Sequence, residues 1–158
     1  MPNEQITRIV SAFGLALVFA AAVFLSPPAV AGDMDATLYK DPDCGCCAEY
    51  AKHLQGQGFA VTVKETRALD ALRRMAGVPS KLASCHTMTI GGYVVEGHVP
   101  VAAVRKLLAE KSDARGIALP GMPLGSPGMN GVKEAPFIVY EIGRRDADGG
   151  GPQVFMVE

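Results

Sequence analysis

Two features that nucleic-acid-binding proteins rely on are scarce in this sequence of 158 residues. Tryptophan is absent and aromatic residues make up only 6%, so the chain has few side chains on which bases could stack. The 15 Lys and Arg residues are balanced by 16 Asp and Glu residues, which leaves a formal net charge of −1. This balance provides no basic surface for phosphates, and we expect no nucleic acid as a partner.

Long apolar runs are also scarce, and the one at residues 9–25 stands near the N-terminus. Ser26-Pro27-Pro28 ends this run, and Ala29-Val30-Ala31 has the small-x-small pattern of a cleavage site. The pattern predicts a signal peptide over residues 1–31 and a mature protein that starts near Gly32 in an exported, oxidising space. The alternative is an uncleaved anchor, because the run is somewhat longer than a typical signal core, although a spanning helix needs about 20 apolar residues. The protein would then contact the membrane through this segment only.

Cysteine is rare as well, yet three of the four cysteines lie within four positions. They form Cys44-Gly45-Cys46-Cys47, and the fourth, Cys85, is followed directly by His86. Exported proteins with an even number of cysteines usually contain disulfides. Bridges between adjacent cysteines strain the backbone and close almost no loop, so only Cys44–Cys47 has the spacing of an easy local disulfide. The crowding of thiols therefore favours a functional site over simple structural bridges.

The mature sequence alternates between strand and helix patterns. Strands are predicted at 37–40, 59–63, 87–90, 93–96 and 136–141, with a last one at 153–157 that either pairs back or stays loose. Helices are predicted at about 45–55 with Asp43 as N-cap, at 69–76 with Arg73 and Arg74 outward, and at 101–110. Residues 116–131 are predicted to be a loop rich in Gly, Pro and Met, and residues 136–158 a C-terminal hairpin or tail.

This order of elements predicts a single α/β domain over residues 32–158, with a mixed sheet and flanking helices. It resembles the thioredoxin-like plan, in which the turn between the first strand and its helix faces the loop before the hairpin. The turn carries Cys44–Cys47 and the loop carries Cys85 and His86, so we expect the two to form one site.

The thiol turn lies at the predicted start of a helix, where free N–H groups and the helix dipole stabilise thiolates. Thiolates favour soft metals such as Cu(I) and Zn(II). Zinc would use Cys44, Cys47, Cys85 and His86 and would leave Cys46 over. Cu(I) binds two or three thiolates, and thiolates can bridge several Cu(I) ions. The close spacing of Cys-x-Cys-Cys suits such a site. The spacing does not match the iron–sulfur patterns.

Three further residues are candidates on weaker grounds. His98 follows the predicted hairpin and could supply a second imidazole, although an exposed loop position is the alternative. Met122 and Met129 could supply thioether ligands or close the site like a lid, whereas packing is the more common role of methionine.

Four segments of the sequence resemble the DUF411 family of exported metal-binding proteins, some of which are associated with copper resistance. They contain the residues 38–47, with Cys44-Gly45-Cys46-Cys47; 77–87, with Cys85-His86; 92–100, with Gly97-His98; and 120–129, with Met122 and Met129. The resemblance implies a thioredoxin-like fold and copper binding in the periplasm. It also implies that Cys44, Cys46, Cys47 and Cys85 hold Cu(I) as a multi-copper cluster, with His86 and His98 assisting.

Three functions are consistent with these patterns. The first is Cu(I) binding for copper sequestration, transfer or resistance, with a copper export or chaperone protein as a partner. The second is an enzyme, either a thiol–disulfide or a copper-redox oxidoreductase, because Cys44–Cys47 has C-x-x-C spacing. A third thiol in the turn argues against a simple dithiol enzyme, since it would trap non-productive bridges. The third is a structural zinc or disulfide site.

Overall fold

A computed structural model describes residues 34–144 and 152–158. The predicted signal peptide at 1–31 lies outside these residues, so the peptide and its cleavage site stay predictions. Within the described ranges, every helix is too short or too polar to cross a membrane.

The described residues form one mixed sheet with helices against it. The strands are β1 Asp35–Lys40, β2 Ala60–Glu65, β3 His86–Ile90, β4 Tyr93–Glu96, β5 Ala114–Ala118, β6 Ile138–Arg144 and β7 Val154–Val157. The helices are α1 Gly45–Gly56, α2 Leu69–Ala76 and α3 Val101–Glu110, with a 3₁₀ turn at Ser80–Leu82. The predicted α/β fold with a mixed sheet and flanking helices is confirmed, and it is compatible with a thioredoxin-like plan.

The strand order is β2-β1-β3-β4-β5-β6-β7. The β1–β2 and β4–β5 pairs are parallel, and the other pairs are antiparallel. Gly91 and Gly92 join β3 to β4 with positive φ angles of 54° and 83°, as the predicted hairpin requires.

Both faces of the sheet are covered by apolar side chains. Val95 lies in a large buried cluster with residues of α1 and α3, whereas its neighbour Val94 lies in a smaller cluster with Leu82 and Ile142. Successive residues of a strand point to opposite faces, so β4 contributes to both clusters. The central strands are thus packed on both faces.

The predicted loop at 116–131 begins too early, because Ala114–Ala118 is strand β5 between β4 and β6. The sequence pattern predicts Gly116 as a loop residue, but Gly116 lies in β5 where that strand approaches β4 closely. A Cβ atom on Gly116 would collide with the backbone of Val94.

The prediction that Asp43 caps α1 is wrong. Cys44 is the N-cap residue, and its side chain makes no capping hydrogen bond. The Asp41 carboxylate instead accepts a hydrogen bond from the Asp43 N–H at 2.9 Å, and the Asp43 carboxylate faces Arg67 at 3.1 Å. The first turn of α1 therefore presents its N–H groups beside cysteines without a capping side-chain oxygen.

The prediction that Arg73 points outward is also wrong, whereas Arg74 is exposed. The Arg73 side chain is 13% exposed and pairs with Glu96, which is fully buried. A short amphipathic helix shows which positions are polar, but it does not reveal a buried carboxylate on a distant strand.

Candidate metal centre

The sheet register brings the two cysteine segments together. In the antiparallel β1–β3 pair, Lys40 lies opposite His86. The end of β1, which leads into the Cys44–Cys47 turn, is therefore beside the start of β3, which follows Cys85. Cys85 lies in a bend just before the strand and His86 is its first residue, so both side chains reach the same region despite being adjacent.

The four cysteines form one group of sulfur atoms. All four Sγ atoms lie within 4.8 Å of one another. Cys44 and Cys47 are joined by a disulfide, while Cys46 and Cys85 are free. The Cys44 and Cys46 sulfur atoms are 3.6 Å apart. Reduction of the single disulfide would thus leave four thiols close enough to share metal ions.

A second group combines sulfur and nitrogen. Cys47, Cys85, His86 and His98 also place one ligand atom each within 4.8 Å of one another. The Cys85 Sγ lies 2.9 Å from His98 Nε2 and 3.5 Å from His86 Nδ1. Because Cys47 and Cys85 belong to both groups, the two groups form one continuous site.

His98 is oriented by a backbone carbonyl. Its Nδ1 donates a hydrogen bond to the Pro127 carbonyl oxygen at 2.7 Å, because a carbonyl can only accept. The proton on Nδ1 leaves the lone pair on Nε2, directed at the Cys85 sulfur. Metal-binding histidines are commonly held in this way through their second nitrogen.

His86 has a nitrogen without a partner. Both histidines are fully buried, and His86 Nε2 makes no hydrogen bond with any described residue. An unpaired buried polar atom is costly unless it binds something. The other ring nitrogen, Nδ1, faces the Cys85 sulfur at 3.5 Å, and an imidazole nitrogen beside thiols suits a soft metal ion.

Burial keeps both imidazoles neutral. It lowers the pKa of His86 to about 3, with further contributions from His98 and Arg73. Burial also lowers the pKa of His98, against the opposing effect of its hydrogen bond to Pro127. Only a neutral imidazole has a lone pair for a metal, so both rings are in a binding-competent form at neutral pH.

Cys85 is protonated in the metal-free protein. Burial raises the pKa of Cys85 to about 12, and the charge of Cys46 adds to this effect. A bound cation reverses this preference, since metal coordination deprotonates a thiol. A metal ion bound at this site would therefore release the Cys85 proton.

Tyr50 supports both imidazoles. Its ring centroid lies 4.7 Å from that of His86 and 5.4 Å from that of His98. Its hydroxyl donates a hydrogen bond to the Val99 carbonyl oxygen at 2.9 Å. Burial raises the pKa of Tyr50 far above its usual range, so the hydroxyl stays protonated and acts as a donor.

The loop after β5 covers one side of the site. Gly128 has φ +80° and lies so close to α1 that a Cβ atom would collide with the Tyr50 backbone. Met129 is half-buried and lines a cavity of about 350 Å³ together with Cys46, Glu49 and Leu124. Met122 is 54% exposed and does not line this cavity.

All six predicted cysteine and histidine ligands are thus brought together, and Met129 lines the cavity that Cys46 also lines. The sequence did not indicate the Pro127 carbonyl or the packing of Tyr50 against both imidazoles. Tyr50 follows Cys46 by four residues and Cys47 by three, so helical spacing could have indicated it. A backbone carbonyl has no signature in a sequence.

Comparisons with known proteins agree on one family. Residues 82–129 match the model of a family described as a protein of unknown function, DUF411. A solved structure of copper resistance protein CopG, form 1, is 38% identical with a TM-score of 0.71, covering 80% of this chain and 98% of that chain. Form 2 is 39% identical with a TM-score of 0.70, covering 78% and 97%. No curated protein matches the sequence.

Proposed function

The chain belongs to the DUF411 copper-resistance family, and from this premise we propose that it is a periplasmic Cu(I)-binding protein. It binds copper through Cys44, Cys46, Cys47 and Cys85, with nitrogen ligands from His86 and His98. Its role is to sequester copper or pass it to an export or chaperone protein.

The sharing of Cys47 and Cys85 between the two ligand groups carries the proposal. One ligand group has four sulfurs, and the other has two sulfurs and two nitrogens. The two groups share two thiolates. Thiolate sulfur can bridge two soft ions, so this overlap fits several ions held side by side. A single tetrahedral zinc ion would use only four of the six ligand atoms.

Charge also favours Cu(I) over Zn(II). Four thiolates carry four negative charges, and the two neutral imidazoles add none. One Zn(II) ion on Cys44, Cys47, Cys85 and His86 would leave a net charge of about −1 in a partly buried site, which is costly, and would leave Cys46 unused. Several Cu(I) ions neutralise more of this charge, and thiolate is a preferred ligand of Cu(I).

The chain's own residues prepare the site for the ions. Pro127 and Tyr50 fix the imidazoles, so little ordering is needed on binding. The cavity at Cys46 and Met129 gives access from solvent. Met129 is the thioether best placed to contact copper at this entrance.

Anaerobic titration of the reduced protein with Cu(I), followed by metal analysis, tests the function. We expect more than one Cu(I) per chain and a large loss of copper in a Cys46→Ser, Cys47→Ser variant. Fewer than one Cu(I) per chain, or unchanged binding in the variant, would contradict it.

The Cys44–Cys47 disulfide favours an oxidoreductase as a second candidate. Its C-x-x-C spacing and its place at the start of α1 suit thiol–disulfide exchange. The free thiol of Cys46, 3.6 Å from the Cys44 sulfur, would compete for any mixed disulfide. Turnover of dithiol substrates by the metal-free protein would support an enzyme. Absence of turnover leaves copper-redox cycling as the only enzymatic alternative, to be assayed on copper-loaded protein.

A further inference from the structure

The segment that carries Cys85 is not held by a regular hydrogen-bond ladder. Residues 83–85 lie between the 3₁₀ turn and β3, outside any helix or strand. A ligand on such a segment needs other contacts to fix it, because loop backbone is otherwise the most mobile part of a fold.

The Glu96 carboxylate holds this segment from both sides. Its Oε1 accepts a hydrogen bond from the Ser84 N–H at 2.7 Å, and its Oε2 accepts one from the Thr87 hydroxyl at 2.6 Å. Cys85 and His86 are the two residues between Ser84 and Thr87. One carboxylate thus binds the backbone N–H of the residue before, and the side-chain hydroxyl of the residue after, two proposed metal ligands.

Arg73, on α2, binds the same segment, and we call Arg73 and Glu96 together the clamp. Its Nε donates to Glu96 Oε1 at 2.8 Å, and its Nη2 donates to the Ser84 carbonyl oxygen. Both backbone groups of Ser84 are therefore bound, the N–H by Glu96 and the carbonyl by Arg73.

Stability alone is a poor explanation for this pair. Glu96 is fully buried and the Arg73 side chain is 13% exposed. A buried ion pair often stabilises a fold no more than apolar residues of similar size, because desolvation offsets the attraction. A role in orienting the neighbouring ligands accounts for a pair in this position.

We propose that Arg73 and Glu96 are positioning residues, which hold Cys85 and His86 in the geometry that copper requires. This inference rests on the proposed copper-binding function. Neither residue hydrogen-bonds to a ligand atom. Arg73 acts on the segment through Glu96 and the Ser84 carbonyl, and Glu96 acts through the Ser84 N–H and the Thr87 side chain. Outer partners of metal ligands typically change metal affinity by about 10- to 100-fold.

Three variants of the reduced full chain test the clamp by competition for Cu(I) with a chromophoric chelator. Glu96→Ala removes all three acceptor contacts, and Arg73→Ala removes the contacts from α2 but leaves Glu96 bound to Ser84 and Thr87. We expect either variant to lose about 10- to 100-fold in Cu(I) affinity. Glu96→Gln keeps an oxygen for Ser84 and a polar group for Thr87, so we expect it to recover most of the affinity.

Leu107→Ala is the matched control for lost stability. Leu107 is fully buried on α3 and belongs to neither ligand group. We expect it to lower the Tm of the metal-free protein at least as much as Arg73→Ala, with unchanged Cu(I) affinity. Wild-type affinity in both alanine variants of the clamp, or an equal loss in Leu107→Ala, would overturn the positioning role.

Alkylation of the metal-free, reduced protein gives an independent measurement. Release of the 83–85 segment should raise the alkylation rate of Cys85 in Arg73→Ala at least tenfold, while Cys46 reacts at its wild-type rate. An unchanged Cys85 rate contradicts the clamp. If the wild-type protein binds no Cu(I), the proposed function fails, and the Cys85 rate still decides whether Arg73 and Glu96 hold this segment.

Discussion

Formation of the Cys44–Cys47 disulfide should switch off most of the copper capacity. A disulfide sulfur has no thiolate charge to offer a metal, so oxidation withdraws two of the four sulfur ligands. The four-sulfur group is reduced to Cys46 and Cys85. The mixed group is reduced to Cys85 and the two imidazoles.

The size of the effect follows from these remaining ligands. Cys47 is one of the two thiolates that join the ligand groups, and without it only Cys85 is shared. We expect the oxidised protein to hold at most one Cu(I) and the reduced protein to hold several. Loss of an outer partner alone costs about 10- to 100-fold in metal affinity, and loss of two direct ligands should exceed this range.

The assay compares oxidised and reduced metal-free protein under anaerobic conditions, with no added thiol during the titration. Thiol counting in denaturant should give two free thiols before reduction and four after it, and mapping should identify Cys46 and Cys85 as the two. Reduction followed by removal of the reductant should restore the full copper capacity. Equal Cu(I) binding by the two forms would refute the reasoning.

Three further predictions concern the surroundings of the metal ligands. Gly128 has φ +80°, and Gly128→Ala places a Cβ atom against the Tyr50 backbone, so we expect the loop to shift. Chelator competition should show a fall in Cu(I) affinity, and thermal unfolding should show a smaller change in Tm. Tyr50→Phe removes the hydrogen bond to Val99, and denaturant unfolding should show a loss of about 1–3 kcal/mol because the buried carbonyl loses its donor. His86 has a pKa of about 3 in the folded protein and an ordinary value when unfolded, so the unfolded chain binds the extra proton as the pH falls below about 6.5. The metal-free protein should therefore lose roughly a few kcal/mol of stability between pH 6.5 and 3, and a His86→Gln variant should show a flatter pH profile, whereas equal profiles would contradict the assignment.

The sequence was informative about the ligands because their chemistry is carried by side chains at short spacing. Cys44, Cys46 and Cys47 lie on one turn, and Cys85 is next to His86, so a soft-metal site could be predicted without a structure. The meeting of the two segments depends on the pairing of Lys40 with His86. The resemblance to a thioredoxin-like plan predicted that the two segments face each other, but neither this strand pairing nor its register.

The remaining features depend on contacts between distant residues. The Pro127 carbonyl and the Arg73–Glu96 pair act through hydrogen bonds that no local pattern encodes. Gly116 was misread because a glycine required for close strand packing looks the same as a loop glycine. Asp43 was misread as the N-cap because a carboxylate before a helix can equally bind a nearby arginine.

X-ray absorption at the copper edge of the reduced, Cu(I)-loaded protein tests the central claim most directly. If Cys47 and Cys85 bridge neighbouring ions, the spectrum should show sulfur-dominated coordination, a minor nitrogen contribution and a copper–copper scattering shell. The copper–copper shell should disappear in a Cys47→Ser variant. A single copper ion with no copper–copper scattering, or coordination mainly by oxygen and nitrogen, would contradict the account.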